Sequence, residues 1–120
     1  MPEEALDVHD KAQIYIRRFD QRLREELREL VTSHVIEEHR RGLVGRPSEA
    51  LQRLTNYFRS AAIADKYALV CNKPFAEYRI IALSGRRGVA PRVVDDRVFT
   101  SWEEAMHAVF LKRVQDLLES

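Results

Sequence analysis

A chain of 120 residues with 20 basic and 19 acidic side chains, net charge +1, has no overall field to draw in nucleic acid or an anionic membrane. With 45% hydrophobic and 32% charged residues it reads as one globular domain, long enough for one core and too short for a separate catalytic lobe. The lone cysteine, Cys71, excludes an internal disulfide and fits a reducing compartment.

The opening MPEEALDVHDK is acidic and has no apolar run, so neither a signal peptide nor a transmembrane segment is expected, and the expected location is cytoplasmic. From about Leu6 to Val31 the residues Val8, Ala12, Ile16, Phe19, Leu23, Leu27 and Leu30 recur at spacings of three and four, which predicts one long helix with a single narrow apolar stripe. Most of its remaining surface is opposite charge at i,i+4. At 1.5 Å per residue such a helix is about 39 Å long, more than the body of a small domain can cover. A shorter helical continuation runs from His34 to Arg41 and stops at Gly42.

Pro47 and Ser48 then open a helix, PSEALQRLTNYFRSA, with Leu51, Leu54 and Phe58 turned inward. After it the period changes from 3.6 to 2. KYALVCN and AEYRIIAL read as an antiparallel hairpin around Lys73 and Pro74, with Cys71 a packed thiol in the first strand. GRRGVAP is a loop, and PRVVDDRVF supplies a third, short or edge strand. Ser101 and Glu104 form the capping box of a last helix. The expected fold is therefore α+β: a long N-terminal helix, a second helix, a two- to three-stranded antiparallel sheet and a C-terminal helix. Residues 1–120 form a single domain, with 1–46 a charged helical lead-in and 47–120 a compact body.

The last helix carries more apolar surface than one sheet needs. At 100° per residue, Trp102, Met106, Val109, Phe110, Leu111, Val114, Leu117 and Leu118 cover an arc of about 200°, twice the stripe of an ordinary surface helix. That surplus points to a second contact surface.

No catalytic or metal-binding constellation stands out. In HVIEEH, His34 and His39 are five residues apart, about 140° around a helix, whereas H-x-x-E-H zinc sites need i,i+4. Glu103 and His107 are four apart and could pair on the helix surface. There is no G-x-S-x-G, phosphate-binding glycine loop or C-x-x-C. The order helix, strands, helix also occurs in double-stranded RNA-binding modules, and a stand-alone RNA-binding or protein-interaction module is the alternative reading. Nucleic acid is nonetheless not the expected partner, because SWEEA is acidic where such modules hold phosphate. The 16 arginines against 4 lysines suit interfaces, although a GC-rich genome gives the same bias.

The segments LQRLTNYFR (51–59) and EEAMHAVFLKR (103–113), the hairpin with Tyr67 and Tyr78-Arg79-Ile80, and the turn with Asp95 and Asp96 together resemble the small subunit of bacterial N,N-dimethylformamidase. The resemblance covers about residues 47–118, with the first 46 similar only in kind. It implies a two-chain amide hydrolase that cleaves dimethylformamide to dimethylamine and formate. Its large subunit carries a mononuclear iron on tyrosine and glutamate side chains. The small subunit supplies no metal ligand, cofactor contact or catalytic residue, and the second face of the last helix would lie on the large chain within a higher hetero-oligomer. Tyr57, Arg59, Trp102 and Phe110, bulky groups at the ends and edges of elements, are the expected interface residues.

Overall fold

In the computed structural model, residues 8–42, 45–61 and 66–120 are described, so the expected helix start at Leu6 lies outside the described residues. Helix α1 spans Val8–Leu30. Thr32 then breaks the path: in an extended conformation, it caps α2 (Ser33–Arg41) by accepting a hydrogen bond from the Val35 amide at 3.2 Å. Gly42 ends α2 at φ +82°, its N–H donating to the His39 carbonyl. Ser48 caps α3 (Glu49–Arg59) in the same way, and Glu38 accepts from both its N–H and its hydroxyl, joining the end of α2 to the start of α3.

Strands β1 (Tyr67–Lys73), β2 (Glu77–Ala82) and β3 (Arg92–Val93) form an antiparallel sheet in the order β1-β2-β3, with Leu69 opposite Ile80. Tyr78, Ile80 and Ala82 point inward along β2, the alternation that period 2 requires. The third strand is as short as expected, because the Arg97 amide folds back onto the Asp95 carboxylate and only the bridge Tyr78–Phe99 continues the pairing. Cys71 is exposed rather than packed: it lies in the outer, uncovered end of β1, beside a register shift between Cys71 and Lys73. Helix α4 (Trp102–Glu119) starts at Ser101, whose hydroxyl accepts from the Glu104 amide and donates to the Glu103 carboxylate.

Part of the wide apolar arc of α4 is used inside the chain, on two sides, while Trp102, Met106, Leu111 and Leu118 of the same arc stay 48%, 39%, 40% and 52% exposed. On one side Phe110, Val114 and Leu117 pack with Leu27, Val35, Leu51, Leu54 and Phe58 from the three other helices. On the other side Ala108 and Val109 pack on Ile80 and its sheet neighbours Tyr67, Leu69 and Val94. Helix α4 is thus the middle layer between a helical layer and the sheet, and a helix covered on two sides needs apolar residues on two sides. Leu27 and Val35 belong to the same cluster as Leu51 and Phe110, so the lead-in helices share the core of the body.

Candidate partner-binding surface

Of the four expected interface residues, Tyr57 packs against the same cluster as Phe110, and Trp102 lies instead against Tyr78. Phe110 is 3% exposed and is corrected to core: the His39 ring lies parallel to it at 3.9 Å and Phe58 meets it edge-on at 6.0 Å. Tyr57 is half-buried, and its hydroxyl donates to Asp20 at 3.1 Å, fastening α3 to α1. Burial first, then the neighbouring Asp20 carboxylate, pushes the Tyr57 phenol up from its usual pKa, as expected for a hydroxyl that acts as a donor. Arg59, at the end of α3, is exposed. Trp102 is 48% exposed at the first position of α4 and packs edge-on against Tyr78 at 5.7 Å.

The sequence reading missed Phe75, which completes the surface around Trp102. Phe75 sits in the β1–β2 turn and is 90% exposed. Its φ of +61° is unfavourable for a side chain with a Cβ, and the Tyr78 hydroxyl accepts from its amide at 3.0 Å. An open cleft of about 280 Å³ lies among Phe75, Tyr78, Thr100, Ser101, Trp102 and Glu103. One bare and one half-exposed aromatic group therefore flank a cleft whose floor, Tyr78, is buried and bridged to Phe99. The signal was in KPFAE: a large apolar residue at a hairpin turn, where alternation gives it no inward position.

A second cleft, of about 270 Å³, includes Tyr57, Phe58, Tyr67 and Arg113 in its walls. It is also bounded by Ala61 and Lys66, which flank residues outside the described set. Of the titratable groups considered for chemistry, His107 pairs with His39 rather than with Glu103, at 2.9 Å between Nδ1 atoms. His34 remains exposed. Among the described residues, no three His, Cys, Asp or Glu side chains gather as a donor set for an ion. No described helix is long and apolar enough to cross a membrane.

The fold and surface define a small α+β chain whose side chains form a packed core but leave a hard-edged aromatic ledge uncovered. Comparison with known proteins gives that class a family. The N,N-dimethylformamidase alpha subunit family matches residues 14–120, and the chain belongs to it. The match reaches into α1, further than the segments 47–118 that carry the resemblance. The chain is 40% identical over 113 residues to the N,N-dimethylformamidase alpha subunit of Paracoccus aminophilus, covering 90% of this chain and 79% of that one. It is 38% identical over 104 residues to the protein of the same name from an Alcaligenes species, covering 82% and 77%.

Proposed function

We propose that this chain is the non-catalytic small subunit of a cytoplasmic, hetero-oligomeric amide hydrolase that converts dimethylformamide to dimethylamine and formate. Its role is to stabilise, by association, a large catalytic subunit that carries the iron. The names of the relatives support the reaction and the existence of a second kind of subunit. The observation that carries the association role is the meeting of Phe75, 90% exposed, and Trp102, 48% exposed, at one cleft.

Burial of apolar area contributes about 25 cal/mol per Å², and tryptophan anchors are the usual centres of tight interfaces. A partner that binds only the assembled state stabilises it in proportion to the logarithm of its concentration over Kd. That is the physical content of stabilisation by association.

The test is co-expression with a large-subunit chain, followed by native mass, iron content and dimethylformamide hydrolysis on the same fractions. Co-elution with an iron-bearing chain, with activity confined to that fraction, is the expected result. A Phe75→Ala/Trp102→Ala variant should weaken the complex at least tenfold, about 1.4 kcal/mol. Activity per assembled complex should be unchanged. Hydrolysis by the isolated small chain, or no complex at all, would sink the reading.

A further inference from the structure

The first half of α1 presents an apolar strip that the described chain does not cover. Ala12, Tyr15, Ile16 and Phe19 fall within about 100° of one helical face. Tyr15, Ile16 and Phe19 are 69%, 65% and 69% exposed. One to three turns further on, the same face is core: Leu23 packs against the main cluster and Leu27 is buried within it. A single continuous stripe is thus half used inside the chain and half bare. The three large side chains expose on the order of 400 Å², in the range where an exposed apolar patch marks a contact.

The charges beside the strip discriminate between occupants. Lys11, Arg18 and Arg22 are exposed along one border. In an antiparallel pair of identical helices, each border lies against the same border of the other copy. A second copy would therefore bring these three cations onto their own duplicates, which is repulsive. A parallel pair would set them against the opposite border, Gln13, Asp20 and Arg24. There Asp20 is the one carboxylate, and it is already engaged by the Tyr57 hydroxyl and by Arg24 at 3.1 Å. The strip suits a trough in a different chain, apolar along its floor and lined with carboxylates on one side.

We propose that residues 11–22 of α1 dock into such an acid-bordered apolar trough on the large subunit. This rests on the subunit reading above and adds a second contact, separate from the Phe75–Trp102 ledge. The strip then supplies apolar contact area, and the basic border fixes which way round the helix lies.

The experiment compares the unaltered full chain with Ile16→Asn/Phe19→Asp and with Arg18→Glu/Arg22→Glu, each titrated against the large chain at 0.05 and 0.5 M salt. The apolar double variant should bind at least 30-fold more weakly. The charge-reversed variant should bind about tenfold more weakly at low salt and lose most of the salt dependence that the unaltered chain shows. All the altered side chains are exposed, so circular dichroism and melting of the isolated chain should not change. If the apolar variant binds the large chain like the unaltered one, or binding is insensitive to both salt and charge reversal, the strip is not the contact while the subunit reading stands. If the isolated chain dimerises and Ile16→Asn/Phe19→Asp abolishes that dimer, a second copy is the occupant and the proposal is overturned. If the unaltered chain binds no large chain, the subunit reading itself fails, and this proposal with it.

Discussion

His39 and His107 meet Nδ1 to Nδ1 at 2.9 Å, so one imidazole donates and the other, neutral at that nitrogen, accepts. Burial, then the charge of its partner, holds His39 down at about 4. Burial and then Arg40 lower His107, with Glu37 opposing them. Both rings lie against Phe110 at the α2–α4 contact.

A histidine whose pKa is depressed by folding contributes stability above its unfolded value, about 6.5, and that stability is lost as pH falls through the folded value. The melting temperature of the isolated chain should therefore fall between pH 6.5 and 4. The loss should be on the order of 1 kcal/mol, after allowance for the water that screens a half-exposed ring. His39→Gln should flatten this dependence. A profile with the same slope in both proteins would show that the pair does not control it.

Phe110 is the largest group between α4 and the helical layer, stacked by His39 and met edge-on by Phe58. Phe110→Ala should destabilise the isolated chain by about 3–5 kcal/mol, through lost burial and the cavity left behind. Urea denaturation measures this directly. An unchanged midpoint combined with weakened binding of the large chain would move Phe110 back to the interface.

Phe75 offers the opposite behaviour. Its side chain packs on little, while its left-handed backbone carries a penalty of about 1–2 kcal/mol for any residue with a Cβ. Glycine relieves that penalty but loses more entropy on folding. Phe75→Gly should therefore leave melting unchanged or raise it by a few degrees, while lowering affinity for the large chain. Lower stability together with unchanged affinity would show that Phe75 serves the fold.

Asp95 is held by Arg97 at 2.7 Å and by Lys112 of α4 at 3.3 Å. The Arg97 side chain is the largest cause holding its carboxyl well below the usual carboxylate range. A carboxylate depressed in this way stabilises the fold above its unfolded pKa, near 3.9, and loses that contribution as pH falls below it. Asp95→Asn should cost about 1 kcal/mol at pH 7 and progressively less below pH 4. Equal melting of the two proteins at pH 7 would show that the turn holds without the charge.

Much of the fold was legible in local chemistry. Gly42 stops α2, Ser48 and Ser101 cap the helices that follow them, and the change from period 3.6 to period 2 marks the hairpin. The surface was less legible. Trp102 could be singled out as a bulky residue at a helix start. Phe75 was legible in KPFAE as a turn residue with no inward position, but its place beside Trp102 was not. Tyr57 and Phe110 looked like anchors by size, yet Phe58 and His39 cover Phe110 and Asp20 ties down the Tyr57 hydroxyl, from parts of the chain distant in sequence.

The elements, their caps and the apolar faces follow from the order of residues alone, because propensity, capping and periodicity act over a few residues. So do the two apolar faces of α4. What those faces touch is set by the packing of the elements. The helical layer takes Phe110, Val114 and Leu117 and the sheet takes Ala108 and Val109, while Trp102, Met106, Leu111 and Leu118 stay exposed and the first half of α1 extends past the packed cluster with its stripe bare. A helix records how much apolar surface it has. Which surface covers it depends on contacts between residues far apart in the chain, and a local pattern does not contain them.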